Sequence, residues 1–189
     1  EKSDTVKVGN LRVKFFSVYH TIPDSMGIVI ETPYGDLVFT GDQRLDHVDG
    51  VPTETEEKEF SWFKDRKVLF LAADSTNVEN PGFSIPEKKV HKNIEEIIKN
   101  VQGRLIIATF SSLLERLIKI IEYAETYNKK VCVEGRSMKQ NLEICKHLGL
   151  LKTKPGTMIT SDDIDNYAPD KIIILATGAQ GDEFAAMMR

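Results

Sequence analysis

Apolar positions follow two regimes along the chain. From Leu11 to about Ala73 they gather in short runs rich in β-branched and aromatic residues, and from about Ser84 they recur at helical spacing between compact apolar runs. In the first regime, residues 11–18 mix apolar and polar side chains as a half-buried strand does. Residues 27–32 and 37–40 predict a hairpin across the Pro33-Tyr34-Gly35-Asp36 turn. Residues 67–73 predict a fully apolar strand ending at Asp74-Ser75-Thr76, after an acidic, irregular stretch with a short helix near 55–63.

In the second regime, three Ser-x-x-Glu/Gln phrases mark helix starts: Ser84 to Glu87, Ser112 to Glu115 and Ser137 to Gln140. The helices they open are expected to run to about Val101, past Ala124 and through Leu148. The middle one places Leu113, Leu117, Ile120, Ile121 and Ala124 on one face. Strands are expected at 104–109, 130–134 and 171–176, the last leading into Gly178-Ala179-Gln180-Gly181. Short apolar strands alternating with amphipathic helices predict right-handed crossovers and a parallel, doubly wound sheet. Ligands of such sheets sit beyond the carboxyl ends of the strands.

Composition narrows the picture without deciding it. A chain of 189 residues, 41% hydrophobic and 29% charged, can fill one substantial core or two small ones. No apolar run approaches the roughly 20 residues of a membrane span, and no secretory signal stands at Glu1, so a cytoplasmic protein without membrane partners is expected. Cys132 and Cys145 have no metal-ligand spacing and read as free buried thiols. A net charge of −4 argues against a generic polyanion-binding surface. Lys129, Lys130, Arg136 and Lys139 form a local basic group that a solvated helix face explains better than a phosphate track does.

Two side chains carry metal chemistry. His20, in Val18-Tyr19-His20-Thr21-Ile22-Pro23-Asp24-Ser25, and Asp42, in Phe39-Thr40-Gly41-Asp42, each follow a predicted strand, where a turn can aim them into a shared cleft. Imidazole and carboxylate both bind zinc at roughly 2.0–2.2 Å, but one of each is only part of a site.

Further phrases follow in order: Ala73-Asp74-Ser75-Thr76-Asn77, Pro81-Gly82-Phe83-Ser84, Ala108-Thr109-Phe110-Ser111-Ser112, Glu134-Gly135-Arg136-Ser137-Met138 and Ala176-Thr177-Gly178-Ala179-Gln180-Gly181. With the His20 and Asp42 phrases they make the chain resemble the ribonuclease J family, RNA nucleases of metallo-β-lactamase fold with an inserted β-CASP domain. The resemblance implies the later half of a metallo-β-lactamase αββα core over residues 1–80 and part of a Rossmann-like β-CASP domain over 81–189. It implies a metal-dependent nuclease for single-stranded RNA, acting as a 5′–3′ exonuclease and an endonuclease through a metal-activated hydroxide, and self-associating when intact. His20 resembles a metal ligand, Asp42 the carboxylate bridging two zinc ions, and Asp74 an acidic residue that orients a ligand histidine. Without the resemblance, Asp74 reads equally as a strand-end Asx turn. Ser112, with Ser111 and Ser137, resembles a phosphate contact for RNA, although Ser112 also reads as a helix cap.

The chain departs from the family pattern at Gln43-Arg44, at Leu113 and Glu115, and at Asp182-Glu183. Asp46-His47-Val48-Asp49-Gly50 looks like a fragment of the family's histidine-rich motif, but it lacks the upstream histidines, so His47 reads as a loop residue. By the resemblance, that motif would lie before Glu1 and the last ligand histidine after Arg189. The chain alone is therefore expected to be inactive, with the metal site empty or weakly occupied and Asp42 held by hydrogen bonds. Two other readings stay open: a non-catalytic RNA-binding or assembly module, and a Rossmann-like nucleotide binder, which no dinucleotide glycine fingerprint supports.

Overall fold

The computed structural model describes residues 4–178, which divide into two compact units meeting at Glu87 and Lys88. The expected division at 80/81 shifts because the stretch through Glu87 belongs with the first unit: the Glu87 carboxylate meets Arg44 at 3.0 Å and its N–H donates to Asp46 Oδ1 at 2.9 Å.

The first unit is a five-stranded sheet in sequential order. β1 (Thr5–Val8), β2 (Leu11–Ser17), β3 (Met26–Thr32) and β4 (Gly35–Phe39) form an antiparallel meander, and β5 (Val68–Ala72) joins β4 in parallel. The period-2 pattern sends Phe16, Val29 and Val38 to one face, where Val18 completes a small buried cluster. Phe60 and Phe63 cover that cluster from α1 (Glu54–Phe60) and the 3₁₀ turn after it, Phe63 meeting the Phe16 ring edge-on at 4.8 Å. Gly27 pairs with Phe16 across the strands, and any side chain there would overlap the Phe16 ring. Opposite charges are laid across neighbouring strands: Lys14 meets Glu31 at 2.7 Å, and Arg66 joins Glu31 at 2.7 Å and Asp36 at 2.6 Å while lying over the Trp62 ring.

β5 is the fully apolar strand expected at 67–73, but it is the edge of the sheet, and Val68, Leu69, Phe70 and Leu71 are all exposed. Ile28 and Phe39, paired on the face opposite the cluster, are exposed as well.

The second unit is a parallel sheet in the order β6-β9-β7-β8, built from β6 (Leu105–Ala108), β7 (Lys130–Glu134), β8 (Met158–Ile159) and β9 (Ile172–Ala176). It is the doubly wound arrangement the alternation predicts, with the last strand entering the middle. α2 (Glu87–Asn100), α3 (Leu114–Thr126) and α4 (Arg136–His147) accompany it. Its core joins Leu117, Ile120, Ile121 and Ala124 of α3 to Ile98, Met138, Leu142, Val131, Val133, Ile173 and Leu175. Cys132 and Cys145 are free, buried thiols, and burial pushes Cys132 up to about 11. β1, β8 and two 3₁₀ turns between β8 and β9 were not legible beforehand; each is too short to show a period.

None of the three predicted capping boxes forms. α2 starts at Glu87 because Ile85 precedes a proline, which disfavours helical backbone there, and Asp46 caps it in place of Ser84. α3 starts at Leu114 with Leu113 before it and no side-chain cap, and α4 starts directly after Gly135, leaving Ser137 inside the helix. Boxes do form at Thr53 with Glu56, at the start of α1, and at Thr160 with Asp163, in the first 3₁₀ turn after β8.

Candidate functional site

Two loops leaving the first sheet bring His20 and Asp42 together. Val18 N–H donates to Ser25 O at 3.0 Å, closing the segment that carries His20, and Arg44 N–H donates to Tyr19 O at 2.8 Å, tying the Asp42 loop to it. The result sets His20 Nε2 3.9 Å from Asp42 Oδ2. The Asp42 side chain is 86% exposed and that of His20 30%. Contrary to the expectation that hydrogen bonds hold Asp42, none among the described residues reaches its carboxylate, which is open and faces an imidazole beyond hydrogen-bond range.

Asp74, at the end of β5, lies beside this pair. Its Oδ1 accepts from Thr76 N at 2.9 Å and Thr76 Oγ1 at 2.6 Å, an Asx turn, and its Oδ2 accepts from Gln43 N at 3.0 Å. These donors, led by the Thr76 hydroxyl, hold its carboxyl below the usual range, with a smaller contribution from His20. An open pocket of about 280 Å³ adjoins Asp74, lined among others by Gln43, Arg44, Thr76, Phe83 and Ser84. Arg44 is neutralised there by Asp46 at 3.3 Å and Glu87 at 3.0 Å.

As a metal centre the pair is incomplete. Among the described residues, no group of three or more His, Cys, Asp or Glu side chains stands together to hold an ion. A catalytic zinc takes three protein ligands, so these residues do not hold one by themselves.

In the second unit, the three phosphate candidates lie at the carboxyl ends of β6 and β7, with the end of β9 between them. Thr109 N–H reaches Ala176 O at 3.1 Å, and Thr177 N–H approaches Glu134 O at 3.3 Å. Gly135 has φ 112°, and a Cβ there would stand 2.6 Å from Thr177 Oγ1, so the β7–α4 turn closes this tightly only with glycine. Asn141, one turn beyond Ser137 on α4, donates to Ser111 O at 2.8 Å, which draws Ser111 toward the Ser137 face of the helix. Ser112 and Ser137 are exposed and Ser111 half-buried. Of the Gly178-Ala179-Gln180-Gly181 turn, only Gly178 lies within the described residues.

The basic group does not gather into a phosphate track. Lys129 is buried and donates to Asp170 O, Lys130 donates to Gly156 O, and Lys139 pairs with Glu134.

Residues 102–189 match the family model for the β-CASP domain of ribonuclease J. The chain is 38% identical to ribonuclease J of Mycoplasma genitalium over 178 residues, covering 94% of this chain and 31% of that protein. The belonging extends well beyond one genus. Ribonuclease J of Corynebacterium glutamicum is 38% identical across 96% of the chain, and that of Helicobacter pylori 33% identical across all of it. The chain belongs to the ribonuclease J family. It spans between a quarter and a third of the length of these relatives, 31%, 25% and 27% in the order given. A crystal structure from Enterococcus faecalis, described as a protein of unknown function, shares the fold with a TM-score of 0.65 at 18% identity, covering 97% of this chain and 45% of that one. Among the described residues, no helix is long and apolar enough to cross a membrane.

Sequence reasoning missed Glu56. It is 0% exposed, and its carboxylate accepts from Asp46 N at 2.8 Å, Thr53 N at 2.9 Å and Thr53 Oγ1 at 3.0 Å. The signal was present as Thr53-Glu54-Thr55-Glu56, a capping box of the kind sought elsewhere.

Proposed function

We propose that the protein carrying this chain is a zinc-dependent ribonuclease that hydrolyses phosphodiester bonds of single-stranded RNA, as a 5′–3′ exonuclease and as an endonuclease, in the cytoplasm and as a homo-oligomer. His20 and Asp42 would be two of the residues holding its zinc, and Asp74 would fix the surroundings of His20. The observation that carries this reading is the convergence of His20 and Asp42 from separate loops, 3.9 Å apart, in a chain of this family. When bound, zinc would supply hydroxide at neutral pH and offset charge developing on the phosphoryl oxygens. With two donors, this chain alone does not hydrolyse RNA.

Ser111, Ser112 and Ser137 are the candidate phosphate contacts, at the end of the parallel sheet where such folds take ligands. Because Ser112 does not cap α3, its two readings separate cleanly. Ser112→Ala in the full-length protein is expected to leave stability within about 0.5 kcal/mol and to weaken binding of a 5′-monophosphorylated single-stranded RNA. Unchanged RNA affinity would remove Ser112 from the site. Failure of the full-length wild type to cut that RNA with zinc or manganese present would overturn the enzyme reading. Retained RNA binding in that case would favour a non-catalytic RNA-binding or assembly module of the same fold.

A further inference from the structure

We propose that Glu56 is a positioning residue for the Asp42 loop, acting through the backbone of Asp46. The loop from Thr40 to His47 has no regular secondary structure, so its course depends on individual hydrogen bonds. Before Asp42, Thr40 N–H is held by Ala72 O at 3.0 Å. After Asp42, Gln43 N–H is held by Asp74, Arg44 N–H by Tyr19 O, and Asp46 N–H by Glu56 Oε1. Glu56 is the one fully buried carboxylate among the described residues.

A capping box alone does not call for a buried carboxylate, because glutamine at the third helical position satisfies the N-cap N–H as well as glutamate does. Glu56 meets the box with Oε2 and spends Oε1 on Asp46, ten residues away. Only a carboxylate accepts from both sides at once; an amide in its place faces one of these N–H groups with its own N–H. Asp46, fixed in this way, passes the constraint on: its Oδ1 accepts from Arg44 at 3.3 Å and from Glu87 N–H at 2.9 Å. His47, next in the chain, packs its ring against Phe83 and stands 3.8 Å from Glu56 Oε1. The buried charge therefore anchors the distal end of the loop whose other end presents Asp42.

The test compares Glu56→Gln with Thr53→Ala in the full-length protein by amide hydrogen exchange. Thr53→Ala damages the helix cap and leaves the bond to Asp46, whereas Glu56→Gln cannot accept from Thr53 N–H and Asp46 N–H together and so breaks the tie between helix and loop. Glu56→Gln is expected to speed exchange at residues 42–47 at least tenfold, and Thr53→Ala to speed it only at the start of α1. Equal effects of both variants on the loop, or none from Glu56→Gln, would overturn the proposal. If Glu56→Gln does not fold, the wild type decides: an Asp46 amide exchanging at the unfolded-chain rate overturns the proposal, and a strongly protected one supports it. The consequence for metal rests on Asp42 being a ligand, and cobalt(II) titration reads it separately, with affinity expected to fall about tenfold in Glu56→Gln. A wild type that binds no cobalt would sink the ligand assignment while leaving the exchange result intact.

Discussion

Glu31 sits against Lys14 and Arg66, whose hydrogen bonds hold its carboxyl at about 2, with Arg12 at 3.4 Å adding to the pull. A carboxylate whose folded pKa is depressed contributes stability above its unfolded value, and that contribution is lost as pH falls through the folded one. Glu31 therefore stabilises the first unit fully above about pH 4.5 and progressively less toward pH 2. Asp74 adds to the same acid limb, its carboxyl lowered mainly by Thr76. Urea denaturation of Glu31→Gln is expected to show a lower midpoint at pH 7 and a shallower loss on acidification than wild type; parallel pH curves would contradict this. Thr53→Ala is expected to cost about 1 kcal/mol, the usual value of an N-cap. At this scale the sequence exposed residues whose chemistry is written in their own identity and neighbours, such as His20 and Asp42. It hid Glu56, because a glutamate in an acidic stretch looks solvated until the fold carries Asp46 N–H to it.

Elements were legible where their period ran long enough to repeat. The α3 stripe was read correctly at Leu117, Ile120, Ile121 and Ala124, all 0% exposed, while Leu113 fell outside the helix. Ile120→Ala is expected to destabilise the second unit by about 2–5 kcal/mol, measured by chemical denaturation. Helix starts were legible only as local phrases, and tertiary structure overrode them: Pro86 delayed α2, the Asn141 bond held Ser111 in a turn before α3, and the tight Gly135 turn started α4 early. β5 shows the same limit from the other side. Its apolar run was legible as a strand but not as a sheet edge, with Leu69 57% and Leu71 58% exposed. Such an edge is a template for association. The isolated chain is expected to self-associate through it, and Leu69→Lys with Leu71→Lys to shift it toward monomer in light scattering; an unchanged mass distribution would show that association lies elsewhere.

For the molecule as a whole, two units with different sheets follow from the change in periodicity near Ser84, and order β6-β9-β7-β8 places the Ser111 and Ser137 segments on either side of the end of β9. Strand order was not legible, because nothing in an apolar strand says which neighbour it will take. The proposed metal role of His20 and Asp42 belongs to this scale, because no third donor stands with them among the described residues. Asp42 is well suited to test it, being exposed and bearing, among the described residues, no side-chain hydrogen bond whose loss would disturb folding. Zinc content of the full-length protein, measured by elemental analysis for wild type, His20→Ala and Asp42→Ala at equal folded fraction, addresses the central claim directly. The wild type is expected to hold zinc, and each variant to lose affinity beyond the roughly 10–100-fold that residues merely supporting a ligand cost. Undiminished zinc in both variants would contradict the assignment of His20 and Asp42 as ligands.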